Sequence, residues 1–162
     1  MHLDGSCHCG AVRFSVEADA PVPFLRCHCS ICRKTAGGGG YAINLGARAD
    51  TLKVEGEEHI SVFHATIDGE PSPAERRFCG RCGSALWLWD PRWPELLHPF
   101  ASVIDTPLPV PPEQVHMMLG SKPNWVRSEV RPGEATFDEY PDQSLDEWHR
   151  AHGLLDSRHD KA

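Results

Sequence analysis

The chain has 162 residues, enough for one domain whose core carries most of its stability, and its 23 acidic against 16 basic residues give a formal charge of -7. Lysines and arginines are scattered with no basic run, so a phosphate-tracking surface is excluded and nucleic acid is not an expected partner. No segment approaches the roughly 18 apolar residues of a membrane span, and Met1 to Gly10 lacks a basic region ahead of an apolar one; no membrane partner is expected, and the chain reads as soluble and cytoplasmic.

Short β-type runs punctuated by Gly, Pro and Asp predict an all-β domain. Val12, Phe14 and Val16 alternate with Arg13, Ser15 and Glu17, the pattern of a half-buried strand. Further strands are expected at Gly40 to Leu45, Thr51 to Glu55, His59 to Ala65, Ser84 to Trp89, Phe100 to Ile104 and Gln114 to Leu119. Within these, Leu86-Trp87-Leu88-Trp89 is apolar on both faces and reads as a buried strand. Ile67 to Pro73 reads as a turn-rich loop, and Thr106 to Pro112, with four prolines, as an extended connector. A helix comes last: Ser144 and Glu147 make a capping box, and Leu145, Trp148, His152 and Leu155 recur on one face. Its Trp148 face is expected to pack on the sheet.

Seven cysteines fall in three clusters, Cys7 and Cys9, then Cys27, Cys29 and Cys32, then Cys79 and Cys82. An odd count in such tight groups suits a disulfide framework poorly, because tiny loops gain little from closure and one thiol stays unpaired; a metal in a reducing compartment fits better. Cys9-Gly10 and Cys82-Gly83, with a further glycine at Gly80, look like metal knuckles, where the residue after a ligand often takes a left-handed conformation. The outer clusters therefore read as two halves of one closed four-cysteine site. Cys27, Cys29 and Cys32 lie within six residues and can converge on a second metal as a tripod. Seven thiolates leave two tetrahedral sites one ligand short, and water, a substrate thiol or a histidine could fill the place. His8 and His28 each sit inside a C-x-C and are expected to point away from the metals.

The motifs Gly5-Ser6-Cys7-His8-Cys9-Gly10-Ala11-Val12, Cys27-His28-Cys29-Ser30-Ile31-Cys32-Arg33-Lys34 followed by Gly37, and Phe78-Cys79-Gly80-Arg81-Cys82-Gly83 resemble the glutathione-dependent formaldehyde-activating enzymes, a family that includes the centromere protein V domain. Ser121-Lys122-Pro123-Asn124-Trp125 adds weaker support. The resemblance implies a mainly β, antiparallel, β-tent-like zinc-binding domain over residues 1–140, with a short C-terminal helix and tail over 141–162 packed on it. It also implies two Zn2+ per chain, one structural on Cys7, Cys9, Cys79 and Cys82, and one catalytic on Cys27, Cys29 and Cys32. The implied activity is that of a carbon-sulfur lyase or synthase joining a thiol such as glutathione to a small aldehyde. A non-catalytic zinc module that binds a protein partner is the alternative, and the two differ in whether the tripod is open to a ligand.

Thr35-Ala36-Gly37-Gly38-Gly39-Gly40 follows the tripod and offers either bare backbone N-H groups to a substrate or a flexible connector. Arg33 and Lys34 could supply positive charge to a substrate carboxylate, although solvated surface is the commoner role. Trp93 and Trp125 could wall a pocket; His149, His152 and His159 lie in or after the last helix, where packing is commoner than ligation.

Overall fold

The computed structural model describes residues 1–155. In chain order its strands are β1 (His2–Ser6), β2 (Arg13–Glu17), β3 (Phe24–Cys27), β4 (Ala42–Asn44), β5 (Ala47–Arg48), β6 (Lys53–Glu55), β7 (Ile60–Phe63), β8 (Thr66–Ile67), β9 (Glu70–Pro71), β10 (Glu75–Cys79), β11 (Ala85–Trp89), β12 (Leu96–Pro99), β13 (Gln114–Met117) and β14 (Ala135–Thr136). Helix α1 (Ser30–Ala36) follows β3, and α2 (Leu145–Ala151) comes last. The chain is mainly β. Three sheets carry it, ordered β1-β2-β6, β5-β12-β11-β10-β7 and β14-β13-β3-β4, with β8-β9 a separate hairpin. Pairing is antiparallel except at β13, which runs parallel to both β3 and β14.

The alternation read at Val12 to Glu17 is realised in β2, where Phe14 and Val16 are buried while Arg13 is exposed. Phe14 needs room across the strand pair, and Gly5 supplies it. The two residues are in register, and a Cβ on Gly5 would lie 2.4 Å from the Phe14 ring. The ring meets Trp87 edge-on with centroids 5.1 Å apart, which joins the first sheet to β11 at the centre of the second. Around that contact lies one core cluster containing Leu3, Val12, Val16, Leu45, Leu86 and Leu97. A second, containing Leu25, Ala42, Phe100, Val115 and Met117, fills the space under the third sheet.

Two expected strands end differently. Phe100 to Ile104 is a 3-10 turn over Ala101–Val103, because Phe100 is pinned beside Asn44 and Ile104 beside Gly5, so the chain must turn between two sheets. Gln114 to Leu119 stops at Met117, since Met118 takes a left-handed φ of 60° and starts another 3-10 turn. The loop expected at Ile67 to Pro73 contains the short β8-β9 hairpin.

The capping box of α2 is present in full: the Ser144 N-H donates to Glu147 Oε2 at 2.7 Å and the Glu147 N-H to Ser144 Oγ at 3.2 Å. Trp148 is buried and its indole N-H donates to Glu113 at 2.7 Å. His149 is buried too, with Nε2 2.6 Å from the Val22 carbonyl. His152 stacks on Trp148 at 3.8 Å, while His159 lies outside the described residues. His149 packs inside, whereas the helix ends at Ala151, so His152 caps it from an exposed position and Leu155 lies beyond the expected face. Among the described residues no helix is long and apolar enough to cross a membrane.

Trp87→Ala should lower stability by about 4 kcal/mol, since it removes the ring that joins the sheets and leaves a cavity. Trp93, 53% exposed, should tolerate alanine within about 0.5 kcal/mol. Urea unfolding of the two variants measures both, and equal losses would contradict the placement of the core.

Candidate metal centres

The turn after β1 and the turn after β10 bring Cys7, Cys9, Cys79 and Cys82 together, with all four sulfurs within 4.8 Å of one another. Two glycines make these turns. Gly10 and Gly83 have φ of 73° and 76°, and their N-H groups fold back onto the Cys7 and Cys79 carbonyls at 3.0 and 2.8 Å. Gly80 departs from the expected role, because its φ is not left-handed. It is small for a different reason: a Cβ there would meet Ser61 Oγ at 2.7 Å.

A metal fits this group on geometry. Zinc-sulfur bonds of about 2.3 Å at tetrahedral angles put sulfurs about 3.8 Å apart, and Cys7–Cys9 and Cys9–Cys79 stand at 3.5 and 3.8 Å. The Val12 N-H donates to Cys7 Sγ at 3.2 Å, and Ser84 Oγ lies 3.2 Å from Cys82 Sγ. The Ser84 hydroxyl, then the Ser84 and Cys9 backbone, hold the Cys82 thiol down to about 5, so it stands ready as a thiolate. Cys7 and Cys79 are buried in the first core, whereas Cys9 and Cys82 are exposed.

The second group is Cys27, Cys29 and Cys32. Cys27 ends β3, Cys29 caps α1, and Cys32 lies in the first turn of that helix, so a strand-to-helix corner gathers three sulfurs. The Cys32 N-H donates to Cys29 Sγ at 3.3 Å. Three sulfurs this close cannot all ionise without compensation. Contacts from Cys27 and Cys32, then N-H groups of the helix start, draw Cys29 far below an ordinary thiol. Its two neighbours and burial push Cys27 up. Cys27 alone would lower Cys32, but Cys29 and burial outweigh it and raise that thiol. Among the described residues no histidine, carboxylate or fourth thiol joins this group.

Arg76 and Asn44 address Cys32. Both terminal guanidinium nitrogens of Arg76 stand 3.7 Å from its sulfur and Asn44 Nδ2 stands 4.0 Å away. Beside them a cavity of about 380 Å³ is lined by Thr35, Phe63, Arg76, Phe78, Ala85 and Phe100 among others. Arg33 and Lys34, the basic residues next to the tripod in sequence, form no bond to its sulfurs; the cation at the tripod comes from β10, 44 residues along the chain.

Neither neighbouring histidine joins the sulfurs. His8 is exposed, and His28 is buried against Tyr41 and His116. In the glycine run, Gly37 and Gly40 are required by packing, since a Cβ on either would come within 2.2 Å of Tyr41 O or Val126 Cγ2. Gly38 and Gly39 are free and line a second cavity of about 470 Å³. Trp125 is 63% exposed, and neither it nor Trp93 lines either cavity.

Cys9 and Cys79 are 70 residues apart, so a metal joining them removes unfolded-state entropy worth about 4 kcal/mol by analogy with a disulfide. Cys79→Ser should lower the melting temperature by about 10 °C and Cys29→Ser by much less, as calorimetry of metal-loaded protein would show. Equal melting would contradict the division. In the tripod Cys27 and Cys32 keep their protons at neutrality while Cys29 does not, so a metal must displace about two protons to fill it. Affinity there should fall as pH falls, by about 100-fold per unit, and calorimetry in buffers of different ionisation enthalpy counts the protons released. Release of none would contradict the assignment.

Residues 2–121 match the model of the glutathione-dependent formaldehyde-activating enzyme family. A protein of Halomonas elongata that bears the family's name is 64% identical over 154 residues, covering 95% of this chain and 98% of its own. A crystal structure of a Rhodobacter sphaeroides protein is 27% identical, covers 85% of this chain and 99% of its own, and superposes with a TM-score of 0.48. With the family model spanning nearly three quarters of the sequence and both cysteine groups assembled, the chain belongs to the glutathione-dependent formaldehyde-activating enzyme family.

Proposed function

We propose that the protein is a zinc-dependent enzyme that makes or breaks the carbon-sulfur bond between a thiol, glutathione in the first instance, and formaldehyde or a related small aldehyde. One observation carries the reading: three sulfurs converge, no fourth protein ligand joins them among the described residues, and Arg76 links them to a cavity whose wall it shares. A structural zinc is normally closed by four protein ligands, whereas a catalytic one keeps a position for its substrate. On this reading Cys7, Cys9, Cys79 and Cys82 hold a structural zinc, and Cys27, Cys29 and Cys32 a catalytic one.

Zinc held by the tripod would supply a means of keeping an incoming thiol deprotonated at neutral pH. The remaining work falls to the chain. Cys29 is fixed at the start of α1 by the Cys32 N-H, so the helix start holds this donor in place relative to its two neighbours. Phe63, Phe78 and Phe100 line the cavity that Arg76 shares and give it an apolar wall. In the forward direction the thiolate sulfur adds to the carbonyl carbon, the π pair moves to oxygen, and a proton from solvent completes the hydroxymethyl group. Holding both reactants in one orientation supplies the rate advantage over the same reaction in water.

Exchange between free and hydroxymethylated glutathione, followed by carbon NMR with labelled formaldehyde, tests this directly. The zinc-loaded protein should exceed the Cys29→Ser protein at equal concentration by about tenfold or more. Equal rates across several thiols and aldehydes would sink the enzyme reading and leave a zinc module that binds a protein partner.

A further inference from the structure

Arg76 lies on β10 with Leu88 opposite it on β11 and His98 beyond on β12, and Leu88 belongs to the face packed against the second core. Its neighbour Arg77 is satisfied by Glu75, with Nε 3.0 Å from the carboxylate. Arg76 has no such partner. Among the described residues its guanidinium meets no carboxylate, although the chain carries 23 acidic side chains against 16 basic ones. Its contact is with sulfur, through two nitrogens each 3.7 Å from Cys32 Sγ, and Asn44 adds a donor to the same atom. A half-buried cation has thus been spent on a cysteine.

Charge counting gives that pairing a purpose. Three thiolates around a divalent metal leave one net negative charge, and a fourth thiolate doubles it in a place where burial weakens solvent screening. A centre built this way repels the anionic ligand its reaction requires. The guanidinium stands 3.7 Å from one of the three sulfurs and also forms part of the cavity wall, so its charge reaches both the tripod and that cavity.

We propose that Arg76 is the counter-charge that lets the tripod centre accept an anionic fourth ligand, making the centre selective for thiolates over neutral donors. It is a positioning residue, acting through Cys32 and through the field in the cavity. This rests on reading the tripod as a metal centre and does not depend on formaldehyde being the electrophile.

The test uses the full chain loaded with cobalt, whose visible absorption reports each change at the fourth position. Wild type, Arg76→Met, Arg76→Gln and Arg76→Lys are titrated with 2-mercaptoethanol, glutathione and, as a neutral donor, imidazole. Affinity for both thiols should fall about tenfold or more in the Met and Gln variants, stay within about twofold for imidazole, and return largely in Arg76→Lys, which restores charge without the fork. The Gln variant answers the question if the Met variant fails to fold. Thiol affinity unchanged by losing the charge, or an equal loss for imidazole, would overturn the role of Arg76 alone. A wild-type tripod that takes up no cobalt would overturn this role and the metal-centre reading together. Normal thiol binding without turnover would overturn only the aldehyde chemistry.

Discussion

Four sulfurs meeting between residues 7–9 and 79–82 are the junction on which the rest of the architecture hangs. Cys7 leaves the end of β1 and Cys79 the end of β10, so the contact ties the first sheet to the second. The Phe14–Trp87 edge contact makes the same connection inside the core. Apolar packing and sulfur geometry therefore demand one relative placement of the two sheets. Because Cys7 and Cys79 are themselves core residues, a metal there would brace packing that already exists.

The tripod is organised on different terms. Cys27 and Cys32 belong to the second core, but all three sulfurs come from one strand-to-helix corner and close only a local loop. Little of the fold hangs on them. Their environment is instead electrostatic: a helix start beneath Cys29, Asn44 and Arg76 at Cys32, and an aromatic cavity alongside. One chain thus holds two sulfur groups of contrasting design, one half-buried and half-exposed that joins distant segments, the other mostly buried and joining near ones. That contrast is what a division into structural and reactive centres needs.

Much of this was legible in the residues. Cysteine spacing separated four sulfurs from three, because a ligand set is local chemistry with fixed bond lengths. Alternation found β2, and the capping box found α2, since both are patterns within a few residues. β1 escaped notice because Leu3 is its one large apolar residue and its other inward position, Gly5, is small to fit Phe14 across the pair. Phe100 to Ile104 looked like a strand because it is mostly apolar, yet its two ends bridge to different sheets. Arg76 was invisible for the same reason: no pattern within a strand tells which sulfur, 44 residues earlier, a guanidinium will meet. Contacts between distant segments are set by packing.

The central claim is that seven thiolates divide four and three between two zinc ions, leaving one position for a thiol. Zinc X-ray absorption on protein loaded with two equivalents measures it most directly. The account predicts about 3.5 sulfurs per zinc with a lighter atom completing the average shell, rising to about 4 when a thiol is added. A shell already at four sulfurs before the thiol, or one that the thiol leaves unchanged, would contradict it.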